Sequence, residues 1–349
     1  MIETRAPGKL FIAGEYAVVD PGEPALLVAV DRYLHVRLTE IALAANETFL
    51  FESPSEHVGE AVRVMEQLRT ERGLPARGYE MAISSELEDE QGRKFGLGSS
   101  AAVTVAVVDA LDRLYRLGLS SRDRFKLALL ATVATSPRAS GGDLAACTFG
   151  GWLRYSSPDR AALAAERLAH GVGATLESEA WADFSFEPLP APVGLELLVG
   201  WTASPASTAH LVDGITAAGD AGNGSALPHQ TFLARSRDCV TAIERGLGDD
   251  PADVQRALRE ARTLLRGLGE SRGTLIETPS LTALCEIAER HGAAAKPSGA
   301  GGGDCGIALA GAGSDIAGIL REWERLGIRH LDLAIAEVPQ HAEGDADEH

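Results

Sequence analysis

Five glycines fall within eight positions of the stretch Lys296-Pro-Ser-Gly-Ala-Gly-Gly-Gly-Asp304-Cys305-Gly306. This stretch follows a helical pattern that ends at His291-Gly292, and it precedes an apolar strand pattern over 305–310. So much glycine between ordered elements is costly in backbone entropy, and it is best explained where bare N–H groups must come very close to an anion. We therefore predict a phosphate-binding loop at this place.

A second glycine loop, Gly96-Leu97-Gly98-Ser99-Ser100-Ala101-Ala102, opens into an apolar helical pattern that continues to about Tyr115. Free N–H groups and the positive end of the helix dipole would hold phosphate oxygens there. The two serine hydroxyls could bond phosphate or the ligand shell of Mg²⁺, and one of them could also cap the helix. A purely structural turn is the alternative for either loop alone, but the two together predict one polyphosphate site built from both halves of the chain.

Two common nucleotide-binding motifs are excluded by their context. Gly96-x-Gly98-x-x-Ala101 formally satisfies the dinucleotide fingerprint, but the preceding residues 86–94 are mostly charged and do not form a buried strand pattern. The next acidic residues, Asp109 and Asp112, fall inside the predicted helix. No G-x-x-x-x-G-K-[ST] string occurs, so a Walker-type P-loop is excluded as well.

Composition favours an enzyme of two domains. A chain of 349 residues exceeds one ordinary hydrophobic core. The net charge of −18, from 50 acidic and 32 basic residues, argues against binding to nucleic acid or to an anionic membrane surface. We expect no signal peptide and no membrane span, and the four widely spaced cysteines are typical of reduced core residues in a cytoplasmic protein.

Hydrophobic patterns predict an α+β fold in both halves. Alternating apolar residues at 34–38 indicate a half-buried strand, and three prolines within 186–192 indicate a linker. After the linker we predict a strand, a helical stretch, and then strand, helix and a closing strand over 331–335. These patterns place an N-terminal domain at 1–190, a C-terminal domain at 191–340 and an acidic, disordered tail at 341–349.

A third segment makes the chain recognisable, namely Ala6-Pro7-Gly8-Lys9-Leu10-Phe11-Ile12-Ala13-Gly14-Glu15-Tyr16. The three segments in this order resemble the superfamily of galactokinases, homoserine kinases, mevalonate kinases and phosphomevalonate kinases, the GHMP kinases. Two further stretches, 140–152 and 200–212, are similar to its phosphomevalonate kinase branch. Tyr16 stands where galactokinase-like and mevalonate-kinase-like members tend to carry His, and this departure weakens the sugar-kinase alternative.

The resemblance implies a fold and an activity. It implies an N-terminal domain like domain 2 of ribosomal protein S5, a ferredoxin-like C-terminal α/β sandwich, and an active site between them. It also implies an ATP-dependent kinase that uses Mg²⁺ and phosphorylates mevalonate 5-phosphate, giving mevalonate 5-diphosphate and ADP on the way to isoprenoids. Such an enzyme is expected to be a monomer or a homodimer whose partners are small molecules.

Lys9 and Asp143 are the catalytic residues that the resemblance implies. Lys9 would contact the acceptor and the transferred group, because in-line phosphoryl transfer requires charge neutralisation on the moving oxygens. The aspartate that matches Asp143 is proposed as a base in related kinases. The second pKa of a phosphate acceptor is about 6, so the acceptor is mostly ionised at neutral pH and needs no strong base. We therefore expect Asp143 mainly to orient Lys9 or the metal. Both roles remain open at this stage.

The remaining site residues form three groups. The predicted ATP phosphate site comprises Gly96, Leu97, Gly98, Ser99, Ser100 and Ala101. Ser99 and Ser100 are the predicted metal-binding residues. The predicted substrate site comprises Lys9, Ser140, Gly141, Ser204, Ser207, Lys296, Ser298, Gly299, Ala300 and Gly301. Arg138 is a weaker candidate, since it departs from the small residues expected at its position.

Three other functions stay open on the sequence alone. A mevalonate kinase would act on an uncharged alcohol, and a diphosphomevalonate decarboxylase would also discard a carboxylate, for which the sequence offers no positive sign. A non-catalytic ligand sensor on the same fold is the alternative from a different class. Retention of Lys9, Asp143 and both glycine loops argues against the sensor.

Overall fold

Nine strands and nine helices organise the residues that the computed structural model describes, which are 1–42, 55–203, 211 and 228–336. The strands are β1 (Ile2–Ala13), β2 (Pro24–Ile41), β3 (Gly78–Ser85), β4 (Trp152–Ser156), β5 (Ser185–Leu189), β6 (Leu195–Trp201), β7 (Ala294–Pro297), β8 (Cys305–Gly311) and β9 (Arg329–Leu331). The helices are α1 (Glu56–Glu71), α2 (Ser99–Tyr115), α3 (Ser121–Thr135), α4 (Gly142–Phe149), α5 (Arg160–Leu176), α6 (His229–Gly246), α7 (Pro251–Arg272), α8 (Pro279–Arg290) and α9 (Ile316–Arg325).

The first sheet is built around the long strand β2, which pairs antiparallel with β1, β3 and β4, while β5 pairs with β4. The predicted alternation in β2 is confirmed, because Leu34, Val36 and Leu38 are buried. Its first half is continuously buried, and α2, α4 and α6 all pack against this strand. The sheet therefore supplies a rigid platform for β1, which carries Lys9.

The second sheet has the strand order β7-β8-β6-β9. Helix α8 packs against β7 and β8, and α9 packs against α8 and β9. The fully buried Trp323 of α9 donates from its indole nitrogen to the Leu284 carbonyl at 3.0 Å. Mixed helices and antiparallel sheets in both halves confirm the predicted α+β class.

Two local predictions differ from the structure. The closing strand β9 ends at Leu331, and Ile335 instead forms a bridge with Val30 of β2. The predicted linker is shorter than expected, because β5 takes up residues 185–189. Pro188 is tolerated there since β5 is an edge strand that pairs with β4 alone. The change of sheet falls between β5 and β6, where we propose the domain boundary.

The state of the four cysteines agrees with the sequence analysis. All four cysteines are buried and carry free thiols, and burial raises the pKa of Cys239 to about 11 and that of Cys285 to about 12. No helix within the described ranges has both the length and the apolar character that a membrane crossing requires. The predicted tail at 341–349 lies outside these ranges.

Candidate active site

A cavity of about 880 Å³ opens where β1, the start of α2, the start of α4 and the loop before β8 meet. Of the predicted site residues, those that line it are Lys9, Gly96, Gly98, Ser99, Ser100, Ala101, Ser140, Gly141, Asp143, Gly299 and Ala300. The structure thus brings residues from four separate stretches of the sequence around one volume.

The two glycine loops are in direct contact. Gly96 has a φ of +79°, and a Cβ atom at this position would lie 2.5 Å from Cβ of Asp304. The neighbouring Cys305 thiol donates to the carbonyl oxygen of Phe95 at 2.8 Å. Only glycine allows so close an approach between loops that are more than 200 residues apart in sequence.

Lys9 projects from β1 into the centre of this cavity. A bulge after Pro7 shifts the register of β1 on β2, and the Lys9 amide then donates to the Leu97 carbonyl at 2.9 Å. Its ammonium Nζ lies 3.5 Å from Oδ2 of Asp143 and 3.4 Å from the Gly96 carbonyl oxygen. Lys9 therefore touches both the α2 loop and the first turn of α4.

Two helix N-termini face the cavity without a capping side chain. Gly98 is the N-cap of α2 and Gly141 is the N-cap of α4, each with a φ of +85°. Neither Ser99 nor Ser100 takes the capping role that the sequence left open for one of them, and both line the cavity. At α4 the first N–H group, that of Gly142, donates to Ser140 Oγ at 3.3 Å, so an anion there would meet the N–H groups that follow it. Both helix dipoles favour negative charge at this place.

Lys296 is placed differently from its predicted role. Its side chain is fully buried, and its Nζ pairs with the carboxylate of Glu15 and donates to the Pro297 carbonyl at 2.7 Å. Glu15 lines the cavity, whereas Lys296 does not. The structure therefore places Lys296, predicted as the cationic partner of a substrate phosphate, in the interior with its charge balanced by Glu15.

Several other predicted site residues are packed beneath the cavity lining or fall outside the described residues. The Leu97 side chain is in the core, and its backbone carbonyl receives the Lys9 bond. Ser298 Oγ accepts from the Phe11 amide at 2.9 Å, and it donates to the Phe11 carbonyl at 3.0 Å. Gly301 packs against Ile276. Ser204 and Ser207 fall outside the described residues.

Sequence reasoning missed several polar residues that line the cavity, among them Arg93, Lys94 and His57. Arg93 pairs with Asp89 at 2.6 Å, and burial, assisted by the nearby Lys94 charge, lowers the pKa of His57. Arg93 and Lys94 immediately precede the α2 loop, and this adjacency is the signal that could have identified them. Together with Lys9 and Arg138, they give the cavity lining four cations against three carboxylates, a slightly positive balance in an acidic chain.

Comparisons with known proteins agree with the three motifs. The model of the GHMP kinase N-terminal domain matches residues 57–151, and that of the C-terminal domain matches residues 242–329. The chain is also 43% identical to a phosphomevalonate kinase of Streptomyces sp. (strain CL190), over 96% of this chain and 97% of that relative. The chain belongs to the GHMP kinases. The resemblance inferred from the motifs is thus confirmed.

Two further relatives of this GHMP kinase are informative. A mevalonate kinase of Thermococcus gammatolerans is 27% identical, over 87% of this chain and 88% of the relative. The structure of Streptococcus pneumoniae phosphomevalonate kinase in complex with phosphomevalonate and AMPPNP superposes with a TM-score of 0.84. It is 31% identical, and the match covers 96% of this chain and 100% of that one.

The donors of this GHMP kinase fit a magnesium ion that is held mainly by phosphate. Among the residues that the structure describes, no three His, Cys, Asp or Glu side chains cluster as a metal site. Ser99, Ser100 and Asp143 nevertheless present oxygen atoms at the cavity. Mg²⁺ typically takes one or two protein oxygens, several waters and the phosphates of its substrate, so this donor set suits it.

Proposed function

We propose that this GHMP kinase transfers the γ-phosphoryl group of ATP to the phosphate of mevalonate 5-phosphate, producing mevalonate 5-diphosphate and ADP. One observation carries phosphoryl transfer: the Lys9 ammonium contacts the loop that opens α2 and the first turn of α4, and both helices begin without a capping side chain. The near full-length similarity to phosphomevalonate kinases supports the choice of acceptor.

Each helix N-terminus has a separate task in this proposal. The N–H groups at the start of α2 bind the nucleotide phosphates, while the start of α4, with Ser140 and Gly141, faces the acceptor. Lys9 neutralises the charge on the group in transit between them. Arg93 and Lys94 lower the negative potential that an acidic protein would otherwise present to two anionic substrates. Magnesium, when bound through Ser99 or Ser100, offsets the charge of the nucleotide phosphates.

The functional test is the release of ADP with an acceptor panel. Purified protein with ATP and Mg²⁺ is offered mevalonate, mevalonate 5-phosphate, galactose and homoserine in a coupled assay. Turnover restricted to mevalonate 5-phosphate supports the proposal. Turnover with mevalonate alone identifies a mevalonate kinase, and nucleotide binding without any turnover identifies a ligand sensor.

Asp143→Asn is expected to lower kcat only about tenfold. Its carboxylate holds Lys9 at 3.5 Å, whereas an acceptor that is already ionised needs no strong base. An essential general base would instead contribute about 10²–10⁴-fold. The measurement is kcat and kcat/KM across the second pKa of the acceptor, about 6. The same rise with pH is expected in the wild-type protein and in the variant.

The exposed Asp183 supplies the matched control for this substitution, as Asp183→Asn. If Asp143→Asn removes activity as completely as the loss of Lys9, while substrate and metal affinities hold, the orienting role is wrong and Asp143 is the base.

We expect the Mg²⁺ requirement of the activity to depend on the two serine hydroxyls at the start of α2. Ser99→Ala or Ser100→Ala should raise the Mg²⁺ concentration needed for half-maximal activity by about tenfold, since one hydroxyl ligand or phosphate partner is lost. Calorimetric titration with ATP, with and without Mg²⁺, gives a readout independent of turnover. Ser280→Ala, at an exposed position on α8, is the control. An unchanged Mg²⁺ requirement in both variants would show that neither hydroxyl binds the metal or its phosphate ligands.

The proposal also covers the cellular location and the oligomeric state. Four buried free thiols and the use of ATP support a cytoplasmic enzyme. We propose a monomer or a homodimer, which light scattering on the purified protein distinguishes.

A further inference from the structure

The loop of residues 298–303 must be held in place by its surroundings. It contains four glycines with positive φ, namely Gly299, Gly301, Gly302 and Gly303, and such a segment has little conformational preference of its own. It nevertheless lies beside the reacting centre, because a Cβ atom on Gly299 would be 3.9 Å from Nζ of Lys9. Its position therefore depends on contacts with other parts of the protein.

Hydrogen bonds to three distant residues hold this loop. The Ser298 hydroxyl accepts from the Phe11 amide and donates to the Phe11 carbonyl, and the Gly302 amide donates to the Ile276 carbonyl at 2.8 Å. Between them, the hydroxyl of Tyr16 donates to the carbonyl oxygen of Ala300 at 2.6 Å. The Tyr16 side chain thus links the middle of the loop to the half of the molecule that contains the first sheet.

The backbone of Tyr16 is strained in a way that aims its ring at the loop. Its φ of +63° and ψ of −44° are unusual for a residue with a side chain. Such a conformation persists only where the surroundings over-determine it, and it is commonest at functional sites. The preceding Glu15 is held by the buried Lys296, and the Tyr16 ring packs among apolar residues, including Phe232 and Ile276.

The Tyr16 hydroxyl remains a donor throughout the working range of the enzyme. Burial raises the pKa of Tyr16 well above its usual value, and the charge of Glu15 raises it further. Because a raised pKa favours the protonated phenol, the O–H group persists at neutral and mildly alkaline pH. The bond to Ala300 is therefore a fixed structural link and does not switch with pH in that range.

We propose that Tyr16 is a positioning residue for phosphoryl transfer, whose hydroxyl fixes the backbone of residues 299–301 beside Lys9. The inference rests on the proposed function, and it adds to it a contact between the amides of residues 299–301 and the transferred group. A loop released from Tyr16 would still bind nucleotide through α2, but its N–H groups would be poorly aligned with the transition state.

Tyr16→Phe tests this role, because it removes only the hydroxyl and leaves the apolar packing of the ring in place. We expect kcat to fall about tenfold, equivalent to about 1.4 kcal/mol, with the KM for ATP unchanged. Tyr33→Phe is the matched control, since Tyr33 lies on β2 and outside the cavity. Thermal unfolding of both variants is measured in parallel, and we expect it to be close to that of the wild-type protein.

Hydrogen exchange of the protein without substrates gives a second readout that does not depend on turnover. In Tyr16→Phe, the amides of residues 299–301 should exchange faster, while the bonded amide of Gly302 changes less. Wild-type kcat together with unchanged exchange would overturn the proposal. A wild-type protein that fails to use mevalonate 5-phosphate defeats the proposed function instead, and the exchange result then still decides whether Tyr16 holds the loop.

Discussion

Lys9→Met is expected to lower kcat by about 10³-fold while the protein remains folded, since removal of one preorganised charge from a transition state typically costs about 10²–10³-fold or more. Met retains most of the length and apolar contact of the lysine stem, so the packing against Gly98 is kept. The Asp143 carboxylate left behind is partly exposed and can be solvated. The loss should therefore appear in catalysis and leave stability nearly unchanged.

The measurement is ADP release at saturating ATP and acceptor, together with thermal unfolding monitored by circular dichroism. Arg37→Met is the matched control, because Arg37 is an exposed cation on the same sheet, paired with Glu3 and outside the cavity. A rise in KM for the acceptor at constant kcat would show that Lys9 binds the ground state and the transition state equally, and the assigned catalytic role would then be wrong.

The parts of the site that were predictable from sequence are those whose chemistry is local. A glycine loop and the helix that it opens lie within a few residues of each other, so their geometry follows from φ requirements and helix polarity. This is why both loops, Lys9 and Asp143 lie together as expected. The α+β class was predictable for the same reason, since the alternation in β2 and the apolar stripes of the helices are short-range signals.

The position of the Lys296 side chain could not be predicted from the local sequence. Every residue of β7 is buried, so no alternation reveals which way its side chains point. Its partner Glu15 is 281 residues away in sequence, and only the packing of the two halves brings them together. The same limit applies to the bond between Tyr16 and Ala300, which depends on a turn at the end of β1 and a loop from the other half.

Edge effects account for the errors in element boundaries. Proline normally interrupts a strand, because it has no N–H group to donate. An edge strand has no hydrogen-bonded partner on one side, so Pro188 fits within β5. The apolar residues at 331, 333 and 335 predict an alternating strand, but of these three only Leu331 is buried, and Ile335 is exposed and bridges to β2. In both places the pairing partner is decided by the tertiary structure.

The second large effect is expected on stability, in Lys296→Met. The Lys296 side chain is fully buried and that of Glu15 is 3% exposed, so the substitution leaves a nearly buried carboxylate without its cation. Breaking a buried pair from one side costs about 3–5 kcal/mol, and we expect the unfolding temperature to fall by about 10 °C. Arg290→Met, which breaks the surface pair with Glu322, should change stability by less than about 1 kcal/mol.

The double variant Glu15→Gln with Lys296→Met separates the two contributions to this loss. If the cost lies in the uncompensated carboxylate, neutralising Glu15 removes most of it, and the double variant is more stable than Lys296→Met alone. If the cost lies in lost packing around the lysine stem, the second substitution restores nothing. Because Glu15 directly precedes Tyr16 and lines the cavity, a kcat below the wild-type value in a double variant of restored stability would show that activity needs the Glu15 carboxylate or its pair with Lys296.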